Sequence, residues 1–195
     1  MKRCWLFLLI VLPYCSFAQG ENVTAKFFGL TIHPFGDELA SVQPNKLDDK
    51  AYFVLNLGGF VGYERYIWQD IVSLKLTQGV FTDCSDGKAG FTHLGLRGIL
   101  YDKGKHHAMM GFGPMLFYRD SWTRFPDYED KGVFGLARNK TIQYKFFWYG
   151  LEVEYDYRLS KKTDLSVTFT PGLPFVIAYA VGFKYWINKD FRIKN

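Results

Sequence analysis

Between Phe147 and Leu159 the chain alternates. Phe147, Tyr149, Leu151, Val153, Tyr155, Tyr157 and Leu159 fall on one side; Trp148, Gly150, Glu152, Glu154, Asp156 and Arg158 fall on the other. Successive side chains of an extended strand point to opposite faces. This period therefore predicts one long β-strand separating an apolar from a charged environment. Soluble sheets use strands of about five or six residues. A tilted strand crossing a bilayer needs roughly 9–11, and this run is long enough.

The same period recurs along the chain. Ala51 to Ile67 sets Phe53, Leu55, Leu57, Gly59, Val61 and Tyr63 against Asn56, Gly58, Gly62 and Glu64. Ile71 to Phe81 sets Val72, Leu74, Leu76 and Val80 against Ser73, Lys75, Thr77 and Gly79. Phe91 to Tyr101, Asp164 to Thr170 and Phe175 to Ile187 behave alike. Ala25 to Pro34 and His107 to Tyr118 are apolar on both faces, and Pro114 predicts a bulge in the second. The connections follow a parity. Trp68–Asp70, Asp102–Lys105 and Ser160–Thr163 are tight and polar, whereas Phe35–Lys50, Cys84–Gly90 and Arg119–Thr141 are long, with only Pro171–Pro174 short on that side. Short turns at one end and long loops at the other are the layout of an outer-membrane barrel, turns in the periplasm and loops outside. The predicted fold is all-β: one antiparallel up-and-down transmembrane β-barrel of about eight strands, with both chain ends in the periplasm.

Composition adds to this picture. Lys2 and Arg3, the apolar Trp5 to Leu12 and the small residues of Ser16-Phe17-Ala18 predict a cleaved signal peptide over 1–18, leaving a barrel domain at 19–195. Of three cysteines, only Cys84 lies beyond that segment, so no internal disulfide is expected. Taking Lys2 and Arg3 from 24 basic residues leaves 22 against 19 acidic, a net +3. That bias is weak and scattered, and does not point to nucleic acid. Aromatic residues make up 19% of the chain.

Alternation alone does not say which face is wet, and a soluble lipocalin-like barrel, apolar inside, is the alternative. Two features favour the membrane. Glycines (Gly58, Gly62, Gly79, Gly95, Gly150, Gly182) sit on the polar faces, as a crowded interior requires. Tyr63, Tyr66, Trp68, Tyr101, Tyr155, Tyr157 and Tyr185 cluster near the tight turns, as an interfacial girdle would. With polar faces inward, Glu64, Lys75, Arg97, Glu154, Asp156, Arg158 and Lys184 lie at similar depth near the tight-turn end. An eight-stranded barrel is just wide enough for its side chains to fill. Opposite charges there are expected to pair into an ion-pair plug; a narrow ion path is the other reading.

These runs resemble the small eight-stranded outer-membrane barrels, the OmpX- and PagL-like architectures, over about residues 24–187. The run Val181 to Ile187 resembles the C-terminal recognition strand of such barrels, although Asn188 to Asn195 follows it. The resemblance implies outer-membrane lipid, lipopolysaccharide and the barrel assembly machinery as partners. It also raises lipid A-modifying chemistry. The deacylase motif of a late His and Ser is absent, since no His follows His107. A palmitoyl-transferase-like set of His, Asp and Ser is available in His33, Asp37 and Ser41, or in His93, Asp83 and Ser85. His106-His107 lacks a partner set for metal, no glycine loop for phosphate stands out, and no cofactor is expected. In the longest loop, Trp122, Phe125, Tyr128 and Phe134 are read as a surface patch for a ligand or partner, or as a loop folded over the barrel mouth. The function expected is structural or surface-binding, through the outer loops.

Overall fold

The computed structural model describes residues 20–126, 128–129, 132–136, 141–172 and 176–188. The expected signal peptide, Phe175 and most of the C-terminal tail lie outside them. The strands are β1 (Glu21–Ile32), β2 (Phe53–Trp68), β3 (Val72–Thr82), β4 (Lys88–Lys103), β5 (His106–Asp120), the two-residue β6 (Gly135–Leu136), β7 (Ile142–Arg158), β8 (Thr163–Gly172) and β9 (Val176–Trp186). All pairings are antiparallel. β1 pairs with both β2 and β9, and β5 with both β4 and β7, so eight strands close a barrel while β6 rides on β7 alone. Closure removes the full-length free edge that an open sheet exposes, leaving only the part of β7 beyond its ladder with β8.

The tight turns follow from local chemistry. Gln69 and Asp70 both take left-handed backbone (φ 45° and 57°), and the Ile71 amide donates to the Trp68 carbonyl at 2.8 Å. This mirror-image two-residue turn matches the twist of the strands it joins. Gly104 supplies the positive φ of the second turn. At the third, the Ser160 hydroxyl accepts from the Lys162 and Thr163 amides. The opposite end is less uniform than the parity predicts. β4 begins at Lys88, so that connection is only Asp83–Gly87, folded tight because Asp83 accepts from the amides of Ser85 and Gly87.

The bilayer-length strands carry Leu57, Val61, Leu76, Val80, Phe112 and Val181 outward and exposed, while Lys75, Glu64, Glu154 and Lys184 are buried inside. This is the inverse of a lipocalin-like barrel, and that alternative is overturned. Tyr63, Trp68, Tyr101, Tyr155 and Tyr185 form the outward girdle, but Tyr66 is 2% exposed and points inward, stacked on Trp186. Interior crowding is real at the glycines: a Cβ on Gly79 would stand 2.3 Å from the Phe91 ring.

The two runs that are apolar on both faces have a common cause. The barrel interior is polar toward the turns and aromatic toward the loops. Phe28 on β1, and Met115 and Phe117 on β5, face the aromatic part. β1 also begins at Glu21, ahead of Ala25, and its inward Asn22, Thr24 and Lys26 are polar and buried. Phase slips complete the explanation. β1 shifts register between Phe28 and Leu30, and the β5–β7 pairing slips between Gly113 and Met115, beside Pro114. The extra residue is on β7, where Gly150 pairs with Gly113 but Phe147 with Met115. Trp148 and Tyr149 therefore both face outward, and Phe147 turns in. The strict alternation read from Phe147 holds only from Gly150 onward.

Candidate functional site

The interior is built in three layers. Nearest the tight turns, Tyr66 stacks on Trp186 and its hydroxyl donates to the Met109 sulfur at 3.3 Å. Asp164 accepts from the Trp186 indole at 2.7 Å and from Arg158 at 3.3 Å. Arg158 thus finds a partner one step nearer the turn than the other expected charges.

Above this lies the ion cluster. Arg97 meets Glu64 and Glu154, each at 2.7 Å; Lys75 meets Glu152 and Glu154, each at 2.7 Å; and Lys184 meets Glu154 at 2.6 Å, with Asp156 also against it. Lys26 reaches Glu154 at 2.7 Å. Ser73 and Asn22 donate to Glu64. Six of the seven expected residues meet in this cluster. Lys26 and Glu152 join it unannounced: Lys26 because its run, Ala25 to Pro34, reads as apolar on both faces, Glu152 although it shares the face of Glu154. Among the described residues the cluster holds four cations (Lys26, Lys75, Arg97, Lys184) and four carboxylates (Glu64, Glu152, Glu154, Asp156). All four cations touch Glu154. A matched set suits a low-dielectric interior, where an unpaired ion is far more costly than a paired one.

The aromatic layer begins at Phe60. The Lys26 and Lys75 ammonium groups lie 5.9 and 6.0 Å from its ring centroid, and the ring also lines a cavity above. Phe60 thus divides the charges from an apolar chamber of about 470 Å³. The chamber walls are Phe28, Phe81, Phe91, Phe117, Phe147 and Met115; loop residues Leu39, Trp122, Tyr128 and Phe134 roof it.

The roof is a small core of its own. Ala40, Val42 and Ala51 of the first outer loop pack with Val54, Cys84 and Trp122, and Phe125 and Tyr128 lean on them. The Trp122 indole donates to Asp83 at 2.8 Å. Arg119 lies 3.8 Å from the Trp122 ring and 4.1 Å from the Phe134 ring. Gln143, buried at the top of β7, accepts from Arg119 and from the Trp122 amide, each at 3.1 Å, and donates to the Tyr128 hydroxyl at 3.0 Å. The four aromatics read from the longest loop, Trp122, Phe125, Tyr128 and Phe134, lie in this cap over the barrel mouth. Trp122 is 2% exposed, and Phe125, Tyr128 and Phe134 are half-buried, because burying aromatic area over the mouth outweighs leaving it in water. No spacing in the sequence marks Gln143 or Asp83 as the pins of this cap.

Outside the membrane belt, burial alone would push the Asp37 carboxyl up. Hydrogen bonds involving His33, the Leu39 amide (2.8 Å) and Gln43 (2.6 Å) outweigh it and hold Asp37 below its ordinary range. Burial, with Asp83 beside it, pushes the Cys84 thiol up. The proposed acid–base sets are not assembled. His33 sits 3.5 Å from Asp37, but Ser41 is exposed and no hydrogen bond links it to His33 among the described residues. Ser85 donates to Asp83, while His93 contacts the Gly150 carbonyl inside the wall.

No protein-family model and no curated protein matches the chain. Among solved structures it is similar to the N-terminal β-barrel domain of Pseudomonas aeruginosa OprF, at 14% identity over 87% of this chain and 100% of that one, with a TM-score of 0.43. OprG of the same organism is 14% identical over 88% and 97%, with a TM-score of 0.48. Ail, the attachment invasion locus protein of Yersinia pestis, is 9% identical over 87% and 99%, also at 0.48. These neighbours are small outer-membrane β-barrel proteins, and the likeness is one of barrel architecture.

Proposed function

We propose that this protein is a bacterial outer-membrane β-barrel that holds a small apolar ligand between its ion-pair plug and its loop roof. Membrane placement is supported by the exposed apolar belt with its Tyr and Trp girdle, surrounding a charged interior. The observation that carries the binding role is the chamber itself. An apolar cavity of about 150 Å³ accepts benzene, and ligand sites fall at about 300–1,000 Å³. The chamber, at about 470 Å³ and walled mainly by phenylalanines, lies in that range. Apolar side chains make up most of its surface, and its polar lining, which includes Thr31, His33, Asp37, Asn56, Asp83, Arg119 and Glu129, is set among aromatic walls.

The methionines test this directly. Met115 lines the chamber, Met109 is buried against Tyr66 below the plug, and Met110 faces lipid. With methyl-labelled methionine in nanodiscs, naphthalene is expected to shift the Met115 methyl saturably. Met110 should drift only with partition into lipid, and Met109 should stay still. A Met115 signal that merely tracks Met110 would remove the binding role.

A further inference from the structure

The barrel wall is not equally high all round. β7 runs 17 residues and β8 only 10. Their ladder stops at Val153↔Phe169. On that side β7 next meets a strand at Tyr144 and Gln143, where β6 pairs. Among the described residues, Gly150 to Glu152 thus faces Thr170 to Gly172 with no ladder between them. The sequence explains the gap. The next in-phase partner beyond Phe169 is Pro171, which has no N–H to give a ladder. Two residues beyond Leu151, the in-phase opposite of Pro171, β7 carries the extra residue of its pairing with β5 at Trp148–Tyr149.

The interior reaches this gap. Phe147 and Thr170, one on each bank, both line the chamber. A second void of about 20 Å³ is bordered by Phe60, Phe91 and Met115 inside and by Gly150, Leu151 and Thr170 in the wall. Leu151 is itself an exposed, outward residue. This water-sized void continues the chamber floor into the wall beside the gap, with Thr77, His93 and Glu152 completing its lining. Outside, the bank is apolar and aromatic, with the Phe146 and Trp148 rings 4.8 Å apart and edge-on.

We propose that the β7–β8 seam is a lateral entry through which the acyl chain of a membrane lipid reaches the chamber. The inference rests on the binding role proposed above and adds the source and the route. An unpaired strand edge is not tolerated within the hydrocarbon. The seam must then sit at the outer boundary of the hydrocarbon, where headgroups and water satisfy its N–H and C=O groups. From that level one chain turns inward while its headgroup stays outside. Toward the loops, the packed core of Ala40, Val42, Cys84 and Trp122 covers part of the chamber mouth. The ligand chemistry, an unbranched hydrocarbon chain, is shared by lipids and free fatty acids, and the seam selects the lipid.

The test uses the folded protein in phospholipid vesicles carrying a diazirine at the acyl-chain terminus. A parallel sample in plain vesicles receives a fatty acid with the same diazirine. After irradiation, labelled residues are mapped by mass spectrometry. Lipid label on Met115, Phe91 or Phe60, beside the label expected on outward Val167 and Leu151, supports the entry. Label inside from the fatty acid but only outside from the lipid overturns the entry and leaves the chamber as a binding site. Label inside from neither overturns the entry too; the Met115 response to naphthalene then decides whether the chamber falls with it.

Discussion

Glu154 accepts all four cations of the cluster, and Thr168 donates to it as well. Replacing it with Ala strands Lys26, Lys75, Arg97 and Lys184 against three carboxylates. Breaking a buried pair by removing one partner costs about 3–5 kcal/mol. Glu154→Ala is therefore expected to lower unfolding stability by about that much, and Arg97→Ala by a similar amount. Urea unfolding, read by the mobility difference between folded and unfolded barrel on a gel, measures it. Wild-type stability in both variants would show that the cluster is not structural. The position of Glu154 was legible in the sequence because a strand of period two leaves no choice of face after Gly150. The place of Phe147 was not. One extra residue at Trp148–Tyr149 inverts every side chain before it, and only the opposing Pro114 hints at that slip. Lys26 was hidden for a related reason: Phe28 and Leu30 straddle a register shift, so the β1 run looked apolar throughout.

At the scale of elements, the first outer loop, residues 33–52, is organised by side-chain oxygens. Asp48 accepts from the amides of Lys50, Tyr52 and Phe53, and Asp37 from Leu39 and from Gln43. Asp37 is held below its ordinary value of 3.8. A depressed carboxylate stabilises above that value, and its contribution is lost as pH falls below it, through the folded pKa. The Leu39 amide resonance is thus expected to be unchanged from neutral pH down to about 4, to move below that, and to lose this dependence in Asp37→Asn. A titration of Leu39 centred nearer neutrality would contradict the arrangement. Loops of this kind are poorly legible in advance. Strands declare themselves by a repeating period, whereas Asp83, Gln143 and Trp122 meet from three separate segments through hydrogen bonds that no local spacing encodes.

For the whole molecule, two closures in series block the axis: the ion cluster and, beneath it, the Tyr66–Trp186 stack with Met109. Wild-type protein in a planar bilayer is expected to show no steady conductance. Removing one matched pair, as in Lys75→Ala with Glu152→Ala, keeps the charges balanced and leaves the stack in place, so it should not open a pore. Steady channels in the wild type would refute the plug. The barrel as a whole was the most legible level, since strand period and turn parity both depend on simple repeats. The chamber was the least, because it exists only where inward faces of several strands converge.

The matched charge of the cluster also bears on how the chain assembles. β1 to β4 contribute Lys26, Lys75 and Arg97 with a single carboxylate, Glu64; β7 to β9 contribute Glu152, Glu154 and Asp156 with a single cation, Lys184. Neither half is neutral by itself, one carrying an excess of two positive charges and the other of two negative. The halves attract before they meet, and only joining β1 to β9 and β5 to β7 cancels the excess. A barrel closed with its seam out of register would keep uncompensated charge in its lumen, and that is costly in a low-dielectric interior.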